Sequence, residues 1–330
     1  MRRLALAAVV AALCAAAPFA SPFTLTLLIE ALIFGLFAMS LDLMVGYTQL
    51  YSFGHAAAYG LGAYATALTL LHFQLPLPLG ILAGVALSVV IALPIAWVCT
   101  KSTGVSFAML TLAFAQLGYA MLYRFKDITG GSDGIGGIPR PPGPFGLAVF
   151  QGKLGYFYLV VGCLVGSYLL CRMLVASPFG AVLAGIRENE AKMRALGYNT
   201  RAYKWAVVVV AYGFGSLAGA LYTPFAGFVA PELLFWLVSG RVLIMVIVGG
   251  AGTLVGPIIG AAFFMLVSNM LSSWTDSWAL FFGLIFILFV LFAPQGIWGL
   301  AMRAFAVEPR PPGEARGQGR GRWRSLNWTG

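Results

Sequence analysis

Apolar runs of bilayer-spanning length fill this 330-residue chain almost from end to end, and they fix its solvent before any motif is considered. A spanning helix needs about 20 apolar residues. Runs of that order lie near 4–20, 23–46, 55–72, 78–99, 104–123, 154–171, 205–222, 233–249, 254–272 and 277–293. With 61% hydrophobic and 9% charged residues, the chain could not keep its apolar surface out of water as a soluble domain. Lipid offers backbone groups no partners, so the runs must be helices or closed-barrel strands. They do not alternate polar with apolar, which excludes a barrel. The expected fold is an all-α polytopic membrane protein with about ten transmembrane helices (eight to ten), some broken at glycine-rich stretches.

Charge placement orients it. With ten spans and both termini cytoplasmic, segments 101–103, 172–204 and 294–330 join Arg2 and Arg3 on the inner side. That side then holds most of the 20 lysines and arginines, and the other receives Arg124, Lys126, Arg140 and Lys153. Residues 1–300 form the membrane domain, with a cytoplasmic loop at 172–204 and a periplasmic loop at 124–153. Residues 301–330 read as a disordered basic cytoplasmic tail whose arginines meet anionic lipid headgroups. The net charge of +10 is spent on span ends and tail, so nucleic acid is not an expected partner. The first run is either an uncleaved span or a signal peptide, since Arg2-Arg3 precedes a short apolar stretch ending in small residues. Cys14, Cys99, Cys163 and Cys171 lie in or beside apolar runs without C-x-x-C spacing, so no metal, cofactor or disulfide framework is expected.

Against this background Ser177–Lys204 is an island, with five basic and two acidic side chains between apolar runs. Ser177-Pro178 suits a helix start. Phe179, Val182, Leu183 and Ile186 make one apolar stripe. Glu188, Asn189 and Glu190 then open a second short helix, which runs past Met193 and Leu196 to a stop at Gly197. Two short helices along the cytoplasmic face are expected. They suit either an amphipathic hairpin resting on lipid or docking in the groove of a partner; charge on several sides of the second helix favours docking.

Glycine-rich interruptions occur once in each half, at Gly46–Gly62 and Gly249–Gly260. Paired breaks point to a translocation path, and equally to close helix packing through small residues. Gly46, Ser52, Gly54, His55, Gly249, Gly250, Gly252 and Gly256 are the residues of that candidate path. His55 has a structural and a ligand reading. Glu30 and Asp42 are ionisable groups within an apolar run; Asp42 falls near the cytoplasmic boundary, so Glu30 is the one placed on the path or paired with a neighbouring helix.

The segment SPFGAVLAGIRENEAKMRALGYNTRAYKWAVVVVAYGFGSLAGALY resembles the cytoplasmic loop and following span of branched-chain amino-acid ABC importer permeases of the LivM type. GYTQLYSFGHAAAYGLGAY (46–64), GVSFAMLTLAFAQL (104–117), TGGSDGIGGIPRP (129–141) and GGAGTLVGPIIGA (249–261) resemble further family segments in the same order. Gln49, Leu50, Tyr51 and Phe53 depart from the family's usual GYxGQLSLGH, which loosens any substrate assignment.

The resemblance implies a bacterial inner-membrane permease subunit without enzymatic activity. Its implied partners are a second permease of the LivH type, two ATP-binding subunits and a periplasmic solute-binding protein. It makes Glu190, Ala191 and Gly197, with their neighbours Arg187 and Glu188, the coupling positions. The implied cargo is leucine, isoleucine and valine, although relatives carry urea, amides or aromatic acids. The chain has no G-x-x-x-x-G-K-[ST] motif for ATP, which suits a motor on another polypeptide. The rivals are an ion-driven secondary transporter using Glu30 and, further off, a membrane enzyme or assembly factor.

Overall fold

A computed structural model describes residues 2–142, 150–274, 278–292 and 295–305. The helices are α1 (Arg2–Ala16), α2 (Pro22–Thr48), α3 (His55–Phe73), α4 (Leu77–Cys99), α5 (Gly104–Arg124) and α6 (Lys126–Thr129). They continue with α7 (Lys153–Ala176), α8 (Pro178–Ala195), α9 (Thr200–Ala226), α10 (Trp236–Gly249), α11 (Val255–Ser272), α12 (Trp278–Phe292) and α13 (Gly296–Phe305). Six of these, α2, α4, α5, α7, α9 and α11, are long and apolar enough to cross a membrane. The run at 8–19 and α10 are apolar but shorter. The chain is thus an all-α polytopic membrane protein, and the tail from 306 lies outside the described residues.

Local chemistry sets the helix limits. Ser21 caps α2 by accepting the Thr24 amide at 3.2 Å, with Pro22 in the first turn, and Gln49 closes the helix in the left-handed region at φ 55°. The 27 residues between form one unbroken helix. Asn199 caps α9 by accepting the Ala202 amide, and Gly227 ends it at φ 69°. The two breaks are tighter than the glycine stretches suggest: residues 49–54 separate α2 from α3, and residues 250–254 separate α10 from α11. Loop 124–142 holds α6, a 3-10 turn and a two-residue strand β1 (Ile135–Gly136), which pairs antiparallel with β2 (Phe228–Val229). So short a ladder leaves no periodicity to read in the sequence.

Lipid tails are as apolar as leucine, so close packing rather than hydrophobicity drives helix association here. α3 crosses α9, and α2 lies against α7, α9, α10 and α11. The α3–α9 contact needs Gly62 and Gly219. A methyl at Gly62 would strike the Ser216 carbonyl, and one at Gly219 the Tyr59 carbonyl. Between α2, α3 and α9, Phe37, His55 and Tyr59 stack at 5.2 and 4.6 Å and are fully buried. Pro224 interrupts the last turn of α9, and the carbonyls there need partners. Arg140 donates to the Pro224 and Phe225 carbonyls at 2.6 and 2.8 Å, Tyr156 donates to the Leu221 carbonyl, and Thr223 donates to Ala63 at 2.9 Å. This pins the 135–140 segment onto the end of the bundle.

Candidate functional site

The island folds as two short helices joined by a kink. α8 is continuous except at Asn189, whose backbone leaves the helix at φ −159°, ψ 97°. The Asn189 side chain accepts the Lys192 amide at 2.9 Å and so caps the second half. Val182, Leu183 and Ile186 bury the first half against the bundle. Ser177 sits at the expected start, but its hydroxyl donates back to the Leu174 carbonyl at 2.6 Å and caps nothing.

The second half is stapled to α9. Glu190 Oε1 meets Arg194 Nη2 at 2.9 Å and Lys204 Nζ at 2.8 Å, and accepts from the Thr200 hydroxyl at 3.0 Å. The Lys204 side chain is only 3% exposed. Partial burial raises the Glu190 pKa, but hydrogen bonds from Lys204 and Arg194, the Lys204 charge and the Thr200 hydroxyl outweigh it and hold the pKa below 4.5. Glu190 is therefore committed within the chain, while Glu188, Ala191 and Gly197 are exposed.

The first half reaches the bundle through Arg187, whose Nη1 donates to the Gly46 carbonyl near the end of α2. Gly46 in turn backs onto Gly252, and a methyl there would strike the Gly252 amide and the Asp42 carboxylate. Asp42 is fully buried and accepts the Gly252 amide at 2.6 Å and the Leu254 amide at 3.1 Å. Arg187 also lies within electrostatic reach of Asp42. The first helix half of the island, the foot of α2 and the break between α10 and α11 thus meet at one point. That break is tightly wound: Gly250, Gly252 and Leu254 all have positive φ, and Gly249 packs on the Gly256 carbonyl.

The other path residues form a second group. His55 Nε2 lies 2.7 Å from the Ser40 hydroxyl, its Nδ1 has no partner among the described residues, and Ser52 accepts the Gly54 amide at 3.3 Å. Gly54 packs on the Thr111 carbonyl. Glu30 stands apart, sixteen residues or roughly 24 Å along α2 from Gly46, in reach of Tyr59 and Tyr222 but with no ion pair among the described residues.

In the sequence Asp42 falls near the cytoplasmic boundary and Glu30 on the path, and Lys204, Thr200 and Arg140 carry no sign of a site role. For Asp42 a signal was present: it stands one helical turn before Gly46, on the same face as the first glycine of the break. The others act through contacts distant in sequence and left no local mark.

Residues 23–292 match the family model described as the branched-chain amino acid transport system / permease component. The chain is 27% identical over 292 residues to the high-affinity branched-chain amino acid transport system permease protein LivM of Escherichia coli (strain K12), covering 81% of this chain and 68% of the relative. It is 26% identical over 313 residues to LivM of Salmonella typhimurium, covering 87% and 72%. It is also 26% identical over 209 residues to the autoinducer 2 import system permease protein LsrC of Salmonella choleraesuis, covering 58% and 59%. No solved structure matches the chain.

Proposed function

The chain belongs to the branched-chain amino acid transport permease family, and from that premise we propose that α8 is where separate ATPase subunits grip it. It is a permease subunit of an ABC importer for branched-chain amino acids, and its task is transport rather than covalent chemistry. The partners we propose are a second permease, two ATPases facing loop 172–204 and a solute-binding protein facing loop 124–153. Ten spans with both termini cytoplasmic remain our topology, supported by the charge distribution. The membrane domain would end near residue 300, leaving a basic tail.

One observation carries the coupling reading: the Arg187 bond to Gly46, beside the loop that Asp42 holds. ATPase closure would move α8 against its partner, and Arg187 would pass that movement to the foot of α2 and the 250–254 break. Glu188, Ala191 and Gly197 would supply the exposed contact face, with Glu190 keeping that face attached to α9. The breaks at 49–54 and 250–254 would flank the path whose opening the movement biases.

The test is uptake in vesicles containing the whole assembly with its binding protein. Labelled leucine should enter only with ATP. Arg187→Ala should keep ATP hydrolysis but lower uptake per ATP on the order of tenfold, as loss of a charged hydrogen bond would. Leucine uptake that needs an ion gradient and no ATP would replace the importer reading. The LsrC likeness supports a second cargo, autoinducer 2, and its competition with leucine for the binding protein separates the two.

A further inference from the structure

Positive charge collects where α4 ends and α9 begins. A cavity of about 280 Å³ opens between the α4–α5 turn, the second half of α8 and the start of α9. Its walls carry Lys101, Arg194, Arg201 and Lys204 against one carboxylate, Glu190. Glu190 is already engaged by Arg194 and Lys204. Lys101 and Arg201 have no carboxylate partner among the described residues. Both instead gather on one indole: Lys101 Nζ lies 4.0 Å from the centre of the Trp97 ring, and the Arg201 guanidinium carbon 5.0 Å. An anion in the cavity that both cations line would offset their repulsion. Thr103 also lines the cavity at the head of α5, and its side chain caps nothing, so that helix presents an uncapped positive end to the same space.

An apolar surface leads away from these charges. Along α4, Leu79, Leu82, Val90 and Trp97 are 52%, 62%, 62% and 52% exposed at helical spacing. On the adjoining α5, Val105 and Met109 are also exposed. Trp97 stands where this surface meets the cations, the position an indole takes at a membrane–water interface. We propose that the cavity binds the phosphate headgroup of an anionic phospholipid whose acyl chains lie along α4 and α5. The occupant follows from continuity: a free phosphate would use the cations and leave the apolar stripe idle, whereas a phospholipid uses both. The inference requires only that the chain lie in a membrane, so it stands or falls separately from the cargo and from ATPase docking.

The experiment is native mass spectrometry of the delipidated full-length chain, alone and in its assembled complex. It is titrated with phosphatidylglycerol, with phosphatidylcholine of the same acyl chains, and with inorganic phosphate. Phosphatidylglycerol should bind on the order of tenfold tighter than phosphatidylcholine. The double variant Lys101→Gln/Arg201→Gln should lose that preference. Arg124→Gln/Lys126→Gln, which removes equal charge from exposed side chains on the opposite side of the membrane, should keep it. Should the double variant not purify folded, Lys101→Gln alone carries the test, with a partial loss expected. A preference that survives in the cavity variant, or falls equally in the Arg124→Gln/Lys126→Gln variant, overturns the site. Full displacement of phosphatidylglycerol by an equal concentration of phosphate reassigns the cavity to a free anion and overturns the lipid.

Discussion

Replacing Asp42 tests whether the foot of α2 holds the 250–254 break. Asp42 is fully buried and accepts the Gly252 and Leu254 amides. A buried amide left without a partner costs about 1–3 kcal/mol, so Asp42→Ala should loosen the loop by ~2–6 kcal/mol. Leu254 adds to the effect: at φ 60° a leucine carries about 1–2 kcal/mol of backbone strain, which the loop can release once its amides are free. Asp42→Asn retains one acceptor oxygen and should lose about half as much. The direct readout is amide hydrogen exchange at residues 252 and 254 in the assembled complex. A loss of 2 kcal/mol accelerates exchange about thirtyfold where local opening governs it. Under the proposed coupling, uptake per ATP should fall in the same order, Ala below Asn below wild type. Unchanged exchange at 252 and 254 in Asp42→Ala would refute the argument, because the loop would then be held by something else. Faster exchange with normal uptake per ATP would keep the structural role and remove the functional one.

Other substitutions check separate parts. Gly219→Val should abolish a folded chain, since its side chain meets the Tyr59 carbonyl, whereas Gly162→Ala, with open space around it, should purify and melt like wild type; equal yields of both would contradict the α3–α9 contact. Arg140→Ala removes two hydrogen bonds to the end of α9, each worth about 1.5–3 kcal/mol for a charged donor, and should expose 135–140 to protease without altering ATP hydrolysis. For Glu190 the folded pKa is depressed, so its contribution is present above about pH 4.5 and is lost as pH falls through the lower folded value. Protection of the 200–204 amides, corrected for base-catalysed intrinsic exchange, should therefore hold steady from pH 7 to 5 and fall towards that of Glu190→Gln controls only below that; a change centred near pH 6 would assign the transition to another group.

How much of this was legible depends on the range of the interaction. Span-length apolar runs and the two short helices from Ser177-Pro178 through Asn189 to Gly197 are local, and the sequence states them. The breaks were visible as glycine clusters, but their limits were not. Gly60, Gly62, Gly219 and Gly260 have the same composition as Gly250 and Gly252, yet the former let helices touch and the latter make turns. Only the partner helix distinguishes the two uses. Glu190 shows the same limit. The resemblance makes it a coupling position, and its tie to α9 shows only once Lys204 and Thr200 are brought beside it by the turn at 196–199. Arg140 carried only a charge in the sequence; its role appears against the last turn of α9, at the Pro224 and Phe225 carbonyls.

The kink at Asn189 then acquires a reason. α8 has two anchors, Arg187 to the foot of α2 and Glu190 to the start of α9, on either side of one residue. α9 is locked to α3 by contacts that admit no methyl group, so it cannot follow a moving loop. A straight helix would tie both anchors to that rigid pair, and a push on α8 would be absorbed there. With Asn189 out of the helix, the first half can turn with α2 while the second stays with α9. Asn189→Ala removes the cap on the second half, worth about 0.5–2 kcal/mol, and favours continuation of the helix through the kink. It should leave ATPase binding intact and lower uptake per ATP, and a second change that frees an anchor, Glu190→Gln, should partly restore it. If Asn189→Ala transports as well as wild type, or Glu190→Gln only worsens it, the two halves move as one body and the kink serves shape alone.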